Sequence, residues 1–100
     1  MSRKCGKWDD YLIENLQDPK EAVAYLNAAL EEDDMPEVFL LALRNVAKAY
    51  GLTNLARRAG LNRAGVYRIL SKKGNPGYKS LKAICDILGI KLRFELKKTA

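Results

Sequence analysis

Glycine and proline divide this chain of 100 residues into short segments, and within those segments apolar residues recur at helical spacing. Pro19 and Pro36 suit the first position of a helix, whereas Gly51, Gly60 and Gly89 suit the position that follows a last turn. Five helices are expected, over residues 18–32, 36–50, 53–59, 62–71 and 78–88. Because each helix would be short and apolar on one side, the chain must bury those sides by packing the helices together.

Three polar residues are expected to begin helices as N-caps, namely Asp18, Thr53 and Asn62. In the helix that follows Asp18, the apolar stripe expected to face the core is formed by Val23, Leu26 and Leu30, with Ala22 and Ala29 beside it. The segment from residue 8 to residue 16 is also apolar but follows no single period, so its structure stays open.

The end of the chain changes period. Ile90, Leu92, Phe94 and Leu96 alternate with charged residues, which predicts a β-strand. No second strand is near it in sequence, and an unpaired apolar edge favours aggregation. These four residues are therefore predicted to form a homodimer, in which the strand pairs with its copy across a two-fold axis. The alternative is pairing within the chain, with segment 8–13.

Charge is strongly segregated along the chain, whose net charge is +6. Residues 1–37 hold ten acids and four bases, while residues 38–100 hold fourteen bases and two acids. Between Thr53 and Lys82 there are eight Lys or Arg residues and no acid. A basic stretch without compensating carboxylates is the electrostatic footprint of a polyanionic partner such as nucleic acid.

Several classes of protein are disfavoured by composition. The chain has no histidine, so Ser71 and Ser80 have no imidazole to activate them, and Cys5 and Cys85 cannot form a four-cysteine zinc site. Its longest apolar run, Val38–Leu43, is far too short to span a membrane, and its first residues do not resemble a secretory signal. We therefore expect a cytoplasmic protein that is not an enzyme and binds no cofactor or metal.

The segment Leu52–Ser71 has the spacing of a helix-turn-helix. Ala56 is small enough for a second helix to cross closely, and Gly60 falls in the turn, where a positive φ is needed. Leu61, Val66 and Ile69 would then hold the second helix against the first. Gly65, inside that second helix, has two open interpretations: it allows close approach to a base or sugar, or a short helix simply tolerates it.

The polar face of the second helix suits the major groove of DNA. Arg63, Tyr67 and Arg68 are expected to reach base edges, and flanking residues to contact phosphates. The predicted DNA-binding residues are Thr53, Asn54, Arg57, Asn62, Arg63, Ala64, Tyr67, Arg68, Ser71, Lys72, Lys73 and Lys79.

Residues from about Asp18 to Leu96 resemble the probable addiction-module antidote proteins, a branch of the lambda-repressor-like (Xre-type) helix-turn-helix regulators. The matching stretches are Ala24–Leu30, Phe39–Leu43 before Val46-Ala47, Leu55-Ala56 with Gly60-Leu61, Tyr67, Gly74-Asn75-Pro76 and Leu88-Gly89. One departure is Asn54, which stands where many relatives carry Gln.

The resemblance implies a mainly α fold, a lambda-repressor-like bundle of about five helices with a C-terminal β-strand. It further implies a homodimer that binds double-stranded operator DNA, represses its own operon, and neutralises a small basic ribonuclease toxin. The expected organisation is an acidic segment with one helix (1–34), a helix-turn-helix domain (35–89) and a C-terminal strand and tail (90–100).

The acidic front of the chain has two interpretations. Its carboxylates cap helices and solvate the surface, or else a face formed by Asp9, Asp10, Glu14, Glu31, Glu32 and Asp33 docks the toxin. Three alternative functions stay open: a prophage-type transcriptional regulator without a toxin, an RNA-binding module, and a protein-interaction adaptor. An RNA-binding module would need more aromatic residues among its bases than Tyr67 and Tyr78.

Overall fold

The computed structural model describes residues 10–32, 34–71 and 73–96, and within these ranges the chain forms six helices. Residues 10–15 are helical (α1). They are followed by α2 (Pro19–Leu30), α3 (Pro36–Tyr50), α4 (Leu52–Ala59), α5 (Arg63–Ile69) and α6 (Tyr78–Leu88). The expected mainly helical fold is confirmed, and the segment that followed no single period is helical over 10–15.

Two of the three predicted N-caps are confirmed. The carboxylate of Asp18 accepts a hydrogen bond from the Lys20 backbone N–H at 3.0 Å, and the Asn62 side chain caps α5 in the same way. The prediction for Thr53 is wrong, because α4 already begins at Leu52, directly after Gly51. A single glycine thus separates α3 from α4, and no side chain caps α4.

The hydrophobic core is formed by residues from every one of the helices α2 to α6. Its most deeply buried large side chains include Leu43 of α3, Leu55 of α4, Val66 of α5 and Ile84 of α6, together with Leu70 directly after α5. Helix α2 packs against α3, while α4 contacts α3, α5 and α6. α4 is therefore the central helix, and α5 is held mainly through it.

The face of α2 that meets α3 differs from the prediction. Ala22, Leu26 and Ala29 are buried, whereas Val23 and Leu30 are 43% and 56% exposed. Successive residues of an α-helix are rotated by about 100° about its axis. Because the observed buried stripe includes the residues just before Val23 and Leu30, these two side chains lie at its edge. The alanines allow the two helix axes to approach closely, which larger side chains at those positions would prevent.

The predicted C-terminal strand is absent from the described residues, and positions 90–96 have no regular secondary structure. Strand hydrogen bonds need a second strand. The partner considered within the chain, segment 8–13, is helical over residues 10–13, so that alternative is wrong. Ile90 is partly buried against the core, but Leu92, Phe94 and Leu96 are exposed, Phe94 completely.

Candidate nucleic-acid interface

The turn between α4 and α5 sets the direction in which α5 begins. Gly60 ends α4 in the left-handed conformation, with φ of +73°, which an L side chain rarely adopts. The next N–H, from Leu61, donates to the Ala56 carbonyl at 2.8 Å. Asn62 then starts α5, and its side-chain oxygen accepts a hydrogen bond from the Gly65 N–H at 2.7 Å.

Helix α5 has one buried and one exposed side, but the prediction that Leu61 helps to hold it inward is wrong, because Leu61 precedes the helix and is 39% exposed. Gly65 and Val66 are buried. The exposed residues are Asn62, Arg63, Ala64 and Arg68, while Tyr67 and Ser71 are half-buried. Two guanidinium groups and the rim of an aromatic ring are thus brought to one surface. Those groups can bind base edges and phosphates.

The structure gives a local explanation for glycine at position 65, which differs from both interpretations made from the sequence. A Cβ atom at this position would lie 3.2 Å from the capping oxygen of Asn62 and 3.6 Å from the Leu61 Cβ. The first distance is tighter than an ordinary van der Waals contact, so a side chain at residue 65 would press on the cap. Gly65 therefore protects the N-terminus of α5.

The predicted residues of α4 have two different environments. Thr53 and Arg57 are exposed, but Asn54 is half-buried and its amide is engaged within the protein. Its Oδ1 accepts a hydrogen bond from Arg57 Nη2 at 2.5 Å, and its Nδ2 donates to the Tyr50 hydroxyl at 3.4 Å. Asn54 thus holds the guanidinium of Arg57 in place rather than presenting a free amide.

The remaining predicted cations lie after α5. Lys73 and Lys79 are exposed, and Lys72 lies outside the described residues. Lys82 forms an ion pair with Asp86 at 2.9 Å, and this hydrogen bond raises the pKa of Lys82 above its usual value. The described cations from α3 to Lys79 have no such carboxylate partner.

Two cations that the sequence interpretation missed lie on α3. Arg44 and Lys48 are one helical turn apart, and their charged groups lie 5.8 Å and 5.9 Å from the centre of the Tyr67 ring. The sequence could have indicated these two cations, because the stretch that lacks acidic residues begins at Val38, before Arg44, and not at Thr53. The basic surface therefore continues from α5 onto α3.

Other kinds of site find little support in the described residues. Cys85 is buried in α6, where burial raises the pKa of its thiol, and Cys5 lies outside the described part of the chain. Among described residues, acidic and sulfur side chains form no group able to hold a metal ion. No helix in the described ranges is long and apolar enough to cross a membrane.

Comparison with known proteins identifies relatives over almost the whole chain. The family model of the probable addiction module antidote proteins matches residues 8–96. An uncharacterized protein of Haemophilus influenzae is 33% identical over 89 residues, which cover 89% of this chain and 91% of the relative. No solved structure matches. The chain belongs to the family of probable addiction module antidote proteins, a family that suggests the antitoxin of a toxin–antitoxin module.

Proposed function

We propose that this antitoxin is a sequence-specific DNA-binding repressor that controls its own operon. The observation that carries the proposal is the exposed face of α5, where Arg63 and Arg68 have no carboxylate partner among the described residues. In this proposal α4 is the first helix of a helix-turn-helix, Gly60 lies in its turn, and α5 is the second helix, which enters the major groove.

The predicted DNA-binding residues divide by position into those that would read bases and those that would contact phosphates. Arg63, Ala64, Tyr67 and Arg68 lie on α5 and would read base edges, with Asn62 and Ser71 at the margins of the contact. Thr53, Arg57, Lys73 and Lys79 lie outside α5 and would neutralise phosphates, as would Lys72. Asn54 would act through Arg57, which it already holds. Base contacts specify a sequence, whereas phosphate contacts supply affinity and orientation.

A homodimer formed through segment 90–96 would present two copies of α5. Leu92, Phe94 and Leu96 are exposed in the single chain, and alternate residues of a strand share one face. Pairing the two segments across a two-fold axis would satisfy their backbones and cover these side chains. Two recognition helices about one DNA turn (~34 Å) apart would then match a palindromic operator.

The toxin would bind at the acidic face (Asp9, Asp10, Glu14, Glu31, Glu32 and Asp33). Its four members among the described residues are all exposed. A ribonuclease toxin must attract RNA and therefore carries a cationic surface. Opposite fields speed association, and the antitoxin would cover the surface that RNA needs.

Binding of two DNA duplexes tests the repressor role. One duplex contains the region upstream of the protein's own coding sequence, and the other is a random sequence of equal length. Arg63→Ala should weaken operator binding by about 1–3 kcal/mol and relax specificity at one base pair, with little effect on the random duplex. Lys79→Ala should weaken both alike and lower the salt slope by about one.

Two results would contradict the proposal. If the wild-type protein binds neither duplex at low salt, it is not a DNA-binding protein. If Arg63→Ala weakens both duplexes equally, α5 does not read the sequence.

A further inference from the structure

Arg44 and Lys48 form a second cationic centre, separate from the exposed face of α5. Both are half-buried on α3, one turn apart, and both approach the same ring, that of Tyr67. Like charges at this spacing repel each other along a helix. The ring attracts both cations through its π-electrons, but it cancels neither charge.

Neither cation has an ion-pair partner within the described part of the chain. The sequence contains no acid from Val38 to Cys85, so α4 and α5 supply no carboxylate, and α3 supplies none after Glu37 in its first turn. Nε of Arg44 is also buried without any hydrogen-bond partner. Buried donors in folded proteins are nearly always paired, so the Arg44 guanidinium keeps hydrogen-bonding capacity that the described residues do not use.

Tyr67 connects this centre to the proposed DNA surface. It lies on α5 one turn after Arg63, so the two residues belong to the same edge of that helix. An anion bound by Arg44 and Lys48 would therefore lie beside the groove that α5 is proposed to enter.

We propose that Arg44 and Lys48, held together by the Tyr67 ring, bind a phosphate of the DNA backbone flanking the groove occupied by α5. This inference rests on the proposed DNA binding and extends it to a helix outside the helix-turn-helix. A guanidinium offers several donors to phosphate oxygens, and a lysine adds a compact charge. The backbone phosphate would accept hydrogen bonds from the Arg44 guanidinium and relieve the repulsion between the two cations.

The test measures binding of a random-sequence duplex over a series of salt concentrations, because nonspecific binding reports phosphate contacts. Lys48→Gln and Arg44→Gln should each lower the slope of log affinity against log salt by about one. Arg44→Lys keeps the charge and should retain the slope. Lys20→Gln removes one charge from an exposed position on α2 and should leave the slope unchanged.

Thermal unfolding of the same variants separates binding from packing. If Arg44→Gln and Lys48→Gln lower the melting temperature but leave the salt slope unchanged, the two cations only support Tyr67 and the inference is wrong. If Lys79→Ala lowers the slope while both α3 variants do not, DNA binding stands and this inference alone fails. If the wild-type protein shows no salt-dependent binding to the duplex, the proposed function itself is wrong.

Inorganic phosphate, titrated at constant ionic strength, distinguishes the two sources of the anion. A DNA-backbone site should show no saturable response to it. Saturable binding that Arg44→Gln abolishes, with an unchanged salt slope on DNA, would identify a free-phosphate site and overturn the inference.

Discussion

The acidic end of α2 and the basic end of α4 are both charged and exposed, but they relate differently to the helices that carry them. Arg57 and Arg58 lie in the last turn of α4, where positive charge stabilises a helix. Glu31 and Glu32 follow the last turn of α2, which contains no basic residue, and negative charge there is unfavourable. The basic residues thus agree with local helix stability, whereas these acids oppose it.

This difference suggests that the acids at the end of α2 are kept for a partner. Asp34 and Glu37 have a local reason, because they flank the first turn of α3. Glu31 and Glu32 form no ion pair with a described residue. Since α2 and the α4–α5 pair share one core, a single small fold carries two opposite fields, which suit a cationic protein and an anionic nucleic acid.

The largest expected effect comes from disrupting the proposed dimer, which should weaken operator binding but not toxin binding. Phe94→Lys places a charge in the proposed dimer strand and should convert a dimer into a monomer in sedimentation. Operator affinity should fall by about 10²–10⁴, because the second half-site is no longer bound in the same complex. Toxin binding, which we propose to involve the acidic face of one chain, should be unaffected.

Glu95→Lys is the matched control for this variant. It makes a larger change in charge on the opposite side of the alternation, and the dimer should persist. A Phe94→Lys protein that stays dimeric with unchanged operator affinity would show that the strand is not the interface.

Charge reversal on the acidic face tests whether that field captures the toxin. Lysine at Glu31, Glu32 and Asp33 should slow association about 10-fold or more at low salt, measured by stopped flow. The effect should shrink at ~0.15 M salt, where screening limits the field to ~8 Å. Operator affinity should hold or rise. An undiminished association rate at low salt would mean that the toxin binds elsewhere.

The smallest expected effect concerns the cap that holds α5 in place. Asn62→Ala removes the hydrogen bond to Gly65 N–H and should lower the free energy of unfolding by about 1 kcal/mol. That is a decrease of roughly 4–8 °C in melting temperature for a domain of this size. Asn27→Ala, at an exposed position inside α2, should have no such effect. Equal melting temperatures for the two variants would contradict the role of the cap.

Local patterns in the sequence were sufficient for most of the helices and for two of the caps. α3 and α6 have the predicted bounds, and Asp18 and Asn62 begin helices as expected, because breaks and caps act through neighbouring residues. The family was also apparent from short apolar and glycine motifs, and the family model matches residues 8–96. The segregation of charge is a property of the sequence alone.

Only the tertiary structure decided which groups meet across helices. The buried stripe of α2 depends on the angle at which it packs on α3, and that angle is set by side chains on both helices. The approach of Arg44 and Lys48 to Tyr67 joins residues about twenty positions apart, which no local period reports. Residues 90–96 carry the alternation of a strand but have no regular structure in the single chain, because strand hydrogen bonds require a second segment beside the first.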